Sequence, residues 1–216
     1  MQIGVADVLD GLDDRQRAAA TVGAGPVQVI APAGSGKTAT LVARIGVLIE
    51  GGITAPRILV VTFNRDAAVE LSERIRSQLG ITPGGDGPEV RTLHALARQI
   101  VLDAGRPVRL VADRLPLIRR ARRQVLAALP PDASIPSAEE LDAVVSGVTL
   151  EGRPSAPPVS DVIAAYRALL AADRSTDFDL LLADALRLLR RDGGLRIRWQ
   201  QRFNNFSKAL SNWKNL

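Results

Sequence analysis

The chain of 216 residues contains no cysteine and a single histidine, His94. A disulfide framework and a thiolate zinc site are therefore excluded, and one imidazole cannot build a histidine metal cluster. Aromatic residues make up only 3% of the chain, and no apolar run approaches the roughly 20 residues needed to span a bilayer. The first residues carry Asp7, Asp10, Asp13 and Asp14 and no basic cluster, unlike a secretory signal. A cytoplasmic protein is the expectation. Lysine is also scarce: Lys37 is the only one before residue 208, although Lys and Arg together number 28. The net charge of +5 suits a polyanionic partner, and suits a solvated arginine-rich surface equally well.

The exception to the lysine scarcity stands in the most informative stretch, Ala31-Pro32-Ala33-Gly34-Ser35-Gly36-Lys37-Thr38. The apolar run Pro26–Ile30 before it reads as a buried strand, and the residues after it as a helix. Gly34 and Gly36 allow the backbone to curl so that successive N–H groups point at a phosphate. The helix N-terminus adds positive potential, and a compact ammonium suits a phosphate pocket better than a guanidinium fork. This is a relaxed Walker A pattern, with Ala31 where the first glycine usually stands. The expected nucleotide-binding set is Gln16 with Ala33, Gly34, Ser35, Gly36, Lys37, Thr38 and Ala39. Lys37 and Thr38 are the catalytic candidates, and the Thr38 hydroxyl is the expected Mg²⁺ ligand beside ATP. Gln16 follows a helix-start signal at Leu12-Asp13-Asp14, and its amide matches the donor and acceptor of adenine. It also fits an ordinary surface helix.

Leu41, Val42, Ile45, Leu48 and Ile49 recur at helical spacing up to Gly51-Gly52. Arg57–Phe63 reads as a second buried strand, which makes a βαβ unit and a parallel sheet. Ligands of such sheets gather at the carboxyl ends of the strands, where Thr62, Phe63, Asn64 and Arg65 fall. Phe63 is placed to stack an unpaired base or to serve as a core ring. A helix over Ala67–Leu79 follows, then a short strand at Glu89–Thr92 and another helix with His94 near its start. His94 fits a phosphate contact and fits a purely structural role. Beyond residue 104 the pattern becomes helical, with helices at Leu115–Leu129, around Val162–Leu170 and at Asp179–Leu189, separated by proline-rich breaks. The arginines of this region fit a nucleic-acid backbone and a solvated basic face equally.

Taken in order, these segments resemble the UvrD/Rep-like superfamily 1 DNA helicases. Leu12–Ala20 is similar to that family's Q motif and Ala31–Thr38 to its Walker A. Val61–Ala68 resembles its Thr-Phe-Thr-Asn-Lys-Ala-Ala motif, departing at Asn64, Arg65 and Asp66. Thr92-Leu93-His94-Ala95-Leu96 looks like Thr-Phe-His-Ser-Phe, and Thr176–Leu181 like the Asp-Phe-Asp-Asp-Leu-Leu segment that closes an inserted helical subdomain. The resemblance implies an α/β fold with a P-loop (RecA-like) parallel sheet, helices on both faces, incomplete here, plus an inserted all-helical subdomain. It implies a partial motor subdomain at 1–103, the insert at 104–194 and a return towards the motor at 195–203. ATP-driven 3′-to-5′ movement on single-stranded DNA is implied, with Gln16 at adenine and Thr62, Phe63, Asn64, Thr92 and His94 at the DNA. The remainder of the motor, a second motor domain, is the implied partner.

Hydrolysis also requires an acidic pair after a buried strand to hold Mg²⁺ and orient water. No apolar run in this chain ends in Asp-Glu. The expectation is binding without turnover by these residues alone. An alternative is a non-hydrolysing nucleotide- and DNA-binding module of a larger helicase-nuclease complex; a third is a small-molecule P-loop kinase. The last thirteen residues hold four of the five asparagines and two of the three lysines. Residues 204–216 are therefore expected to be a non-native or frameshifted tail, unless they are a natural polar one.

Overall fold

The computed structural model describes residues 5–23, 25, 27–82 and 84–203, together with the backbone of 205–208. Among the described residues there are three parallel strands, β1 at Ile58–Thr62, β2 at Glu89–Thr92 and β3 at Asn205–Lys208, in the order β2-β1-β3. All five residues of β1 are buried, as expected of a central strand rich in branched side chains with both edges paired. Its register sets Thr62 beside Thr92 on one side and Val61 beside Lys208 on the other. The stretch expected to be a foreign tail thus contains β3.

The chain forms two compact units, one comprising Met1–Leu93 and Ile197–Leu216 and the other His94–Arg196. In the first, helices α1 (Val5–Asp10), α2 (Asp14–Thr21), α3 (Lys37–Glu50) and α4 (Arg65–Gln78) accompany the sheet. Val42 and Ile45 of α3, Ile58 and Val60 of β1, and Leu71 and Ile75 of α4 form one buried cluster. Two of these helix starts are capped by their own side chains. Asp13 caps α2 by accepting from the Gln16 backbone N–H at 2.8 Å, while the Gln16 side-chain Oε1 accepts from the Asp13 backbone N–H at 3.0 Å. Asn64 caps α4 by accepting from the Ala67 N–H at 2.7 Å.

The second unit is built from α5 (Leu93–Asp103), α6 (Leu115–Leu126), α7 (Ala138–Leu150), α8 (Val159–Ala172), α9 (Phe178–Arg191) and the first residues of α10 (Gly193–Arg202). Its core gathers Ile118 from α6, Leu141 and Val145 from α7, and Val162, Ile163, Tyr166 and Leu170 from α8. Among its described residues the only extended pairing is an isolated parallel bridge between Leu110 and Thr176. None of the described helices is long and apolar enough to cross a membrane.

One sequence expectation is corrected. Residues 27–30 form no strand, and Val27, Val29 and Ile30 are 50%, 51% and 84% exposed. An apolar run becomes a buried strand only where a neighbour satisfies its backbone and covers its side chains. Both edges of β1 are occupied by β2 and β3, and no described strand pairs with 27–30.

Candidate nucleotide and DNA-binding site

The glycine loop enters α3 as its residue types require. Gly34 and Gly36 adopt φ of 76° and 75°, the left-handed region where a Cβ is penalised, and Gly36 is the N-cap of α3. Lys37 is the first helical residue and Thr38 the second; both are half-buried, as is Ser35. The Lys37 ammonium donates to the carbonyls of Ala31 at 3.1 Å and Pro32 at 2.6 Å, and the Ser35 hydroxyl donates to Pro32 at 2.7 Å. The positive group is thus folded back over its own loop, within reach of the α3 N-terminus. Ala33 lies on the exposed crest of the loop, and Ala39 sits in the first turn of α3, packed by the Leu12–Ala20–Ala43 cluster.

Gln16 reaches this loop from α2. Its amide nitrogen donates to the Ser35 carbonyl at 3.0 Å while its carbonyl oxygen completes the α2 capping box. A Cβ built on Gly36 would lie 2.5 Å from that same nitrogen. Two constraints therefore converge on Gly36, backbone conformation and close approach of Gln16. Gly36→Ala is expected to displace Gln16 and lower the affinity for a fluorescent ATP analogue by at least tenfold, measured by anisotropy. An unchanged affinity would separate the Gln16 contact from nucleotide binding. Arg44, farther along α3, donates to the carbonyls of Ala20 and Gly23 at 3.2 Å each and to that of Val22. Those are orphan carbonyls at the end of α2, so α2 is tied near its start to the glycine loop and at its end to α3.

At the carboxyl edge of the sheet, Thr62 is buried and its hydroxyl donates to the Asn64 carbonyl at 3.1 Å. Phe63 is half-buried, and Asn64 is exposed at the start of α4. Thr92 ends β2 directly beside Thr62. The structure therefore brings Thr62 and Thr92 together, while the Asn64 side chain is engaged as a helix cap.

His94 belongs to the helical unit, in the first turn of α5. Its ring meets that of Phe178 edge-on, with centroids 5.0 Å apart and planes at 83°. Burial lowers the His94 pKa from its ordinary 6.5, and the negative charge of Asp179 opposes that shift. The imidazole is therefore neutral at pH 7. The unfolded chain binds this proton more readily, so His94 favours folding above pH 6.5. That contribution is lost as the pH falls from 6.5 to the lower folded value.

Sequence reading did not find the ionic cluster beneath α9. Arg114, the N-cap residue of α6, donates from Nε to Asp142 at 2.5 Å and from Nη1 to Asp179 at 2.5 Å. Its Nη2 serves the Asp142 carbonyl at 3.0 Å and the Ser146 hydroxyl at 2.6 Å. Asp177, only 1% exposed, caps α9 through the Leu180 N–H at 2.7 Å, accepts from the Tyr166 hydroxyl and lies 3.6 Å from Arg114. Burial disfavours the Arg114 cation, but its hydrogen bonds and charge pairing with Asp142 and Asp179 outweigh this and hold its pKa above the ordinary value. Burial and the bond to Asp177 likewise push the Tyr166 hydroxyl upward. The partners lie 28 and 65 residues from Arg114, which no local pattern reveals.

The family model of the UvrD/REP helicase N-terminal domain matches residues 12–146, and the chain belongs to that family. It is 30% identical over 234 residues to the ATP-dependent DNA helicase UvrD2 of Mycobacterium tuberculosis (strain ATCC 25618 / H37Rv), covering 95% of this chain and 33% of that protein. It is 31% identical over 206 residues to the ATP-dependent DNA helicase PcrA of Bacillus subtilis (strain 168), covering 85% of this chain and 27% of PcrA. DNA helicase II of Escherichia coli (strain K12) is 39% identical over 108 residues, 48% of this chain and 15% of the helicase. The chain thus spans about a third of the length of these curated relatives, or less.

Proposed function

We propose that these 216 residues are the ATP- and single-stranded-DNA-binding N-terminal part of an ATP-dependent 3′-to-5′ DNA helicase, and that alone they bind without hydrolysing. The observation that carries the reading is the joint between Gln16 and the glycine loop: a 3.0 Å bond to Ser35, with Gly36 left-handed and Lys37 opening α3. An adenine near Gln16 and phosphates near Lys37 would then be held by one rigid piece. On ATP binding the Lys37 ammonium exchanges two carbonyl partners for phosphate oxygens, a stronger, charge-assisted pairing. Thr38 is positioned in the first turn of α3 to offer its hydroxyl to Mg²⁺, which neutralises phosphate charge when bound. The remaining proposed ATP contacts are the backbone N–H groups of Ala33, Gly34, Ser35, Gly36 and Ala39.

For DNA, the proposed contacts are Thr62, Phe63, Asn64, Thr92 and His94. The half-buried Phe63 suits a base that stacks without sequence preference, since every base offers a π-face. The hydroxyls and backbone near Thr62 and Thr92 suit phosphates. The rest of the motor, including a second motor domain, is the proposed partner.

The test uses the full chain. Fluorescence anisotropy should show binding of an ATP analogue and of a fluorescent oligothymidylate. Phe63→Ala should cost roughly 1–3 kcal/mol of oligothymidylate affinity, about 5- to 150-fold, without changing nucleotide affinity. DNA-stimulated phosphate release should stay at background. Turnover by the purified chain would overturn the non-hydrolysing part, and absence of oligothymidylate binding would overturn the DNA part.

A further inference from the structure

We propose that Phe178, at the braced start of α9, is a positioning residue for His94, setting the imidazole in the orientation in which it meets single-stranded DNA. The proposal rests on the reading that His94 is a DNA contact.

Phe178 is the first residue of α9 and remains 40% exposed despite its apolar ring. Its recorded ring partner is His94, at 5.0 Å and nearly perpendicular, a geometry in which a positive ring edge meets an aromatic face. A ring can orient its neighbour only if its own backbone is held, and this helix start is held from several directions. Asp177 caps the first turn through Leu180 and is itself bonded by Tyr166 of α8. Asp179 accepts from Arg114 at 2.5 Å and from Ser146 of α7 at 2.6 Å. Immediately before them, the Thr176 N–H donates to the Arg109 carbonyl at 2.9 Å and the Val111 N–H to the Thr176 carbonyl at 2.8 Å. Residues 176, 177 and 179 are thus tied to α6, α7, α8 and the 109–111 segment, and Phe178 projects from between them.

This bracing far exceeds what one helix terminus requires. A capping aspartate alone satisfies the first turn. A fixed ring against a half-buried imidazole removes rotamer freedom from His94 before any ligand arrives, which is preorganisation. The charged groups around His94 are consistent with a held, neutral ring: Asp179 acts from α9, already engaged by the Arg114 cation, and Arg98 lies exposed one turn farther along α5.

The chain has one histidine, so its imidazole carbon-bound protons report on this site alone in an NMR spectrum. The test compares wild type, Phe178→Leu, His94→Ala and the double variant, using oligothymidylate affinity, the His94 signal and thermal melting. Expected for Phe178→Leu are a displaced His94 signal and affinity weakened about 3- to 10-fold, with little change in melting. In the His94→Ala background, Phe178→Leu should have no further effect, because its influence passes through the imidazole. Additive losses would show Phe178 touching DNA itself and would overturn the proposal, as would an unmoved His94 signal. If His94→Ala leaves affinity unchanged while Phe178→Leu still moves the His94 signal, the DNA reading of His94 has failed, and the positioning role falls with it. Asp179→Asn keeps an oxygen for Arg114 while removing the charge that favours protonation. It should lower the His94 titration midpoint further.

Discussion

Replacing Lys37 by alanine is expected to weaken binding of an ATP analogue by about a hundredfold or more while barely changing the melting temperature of the free protein. The two effects separate because the ammonium has different partners in the two states. In the free chain it donates to the carbonyls of Ala31 and Pro32, in a loop whose crest is exposed, so water can replace it. Against a triphosphate it would make charge-assisted bonds worth roughly 1.5–3 kcal/mol each, and two of them amount to at least a hundredfold. Lys37→Arg should rescue poorly, because a guanidinium is larger and planar where the lysine presents a compact ammonium to phosphate. The measurement is a titration followed by anisotropy, paired with melting in the presence and absence of nucleotide. Nucleotide should raise the melting temperature of the wild type and leave that of Lys37→Ala unmoved. Equal affinities would remove phosphate binding from this loop altogether.

Arg114→Leu is expected to produce the largest loss of stability, about 3–5 kcal/mol, read as a lowered urea midpoint of the helical unit. Leucine fills part of the volume but leaves Asp177 and Asp179 facing one another without a cation, and leaves Ser146 without its donor. Breaking one side of a buried ionic cluster costs far more than the cluster contributes over an apolar replacement, since the orphaned charges stay in place. Asp142 is partly exposed, so its share is solvated and smaller. An internal comparison is available. Arg119 pairs with Glu139 at 2.6 Å, a similarly short distance, yet both side chains are more than half exposed. Arg119→Ala should cost under about 1 kcal/mol, because water screens the pair and competes for its hydrogen bonds. Similar losses for the two variants would mean that burial does not separate them.

Local signals carried furthest where the physical cause was itself local. The Asp13–Gln16 capping pair, the left-handed glycines before Lys37 and the branched run of β1 each declare their conformation within a few residues. The helix start at Ser137 carries the same signal, with Glu140 three residues on completing a capping box. The proline-rich surroundings nevertheless hid α7 from the sequence reading. Val27–Ile30 shows the opposite error. Its composition suits a strand, but strand formation depends on a partner elsewhere in the chain, and none of the described strands supplies one. The same dependence on distant partners concealed β3 and the Arg114 cluster. The conformation of the candidate site was legible where it consists of one loop and one helix, and illegible where it depends on what packs behind His94.

Because β1 pairs on one side with β2 and on the other with residues 205–208, its two edges close at different times during synthesis. The pairing with β2 can form once residue 92 has left the ribosome, whereas the second edge must wait for more than a hundred further residues. At 5–20 residues per second the wait is on the order of ten seconds, during which a strand of four apolar residues and a threonine presents an unpaired backbone. Such an edge is an invitation to intermolecular pairing. Yield in a cell should therefore depend on temperature and chaperone supply during translation more than on the stability of the finished protein.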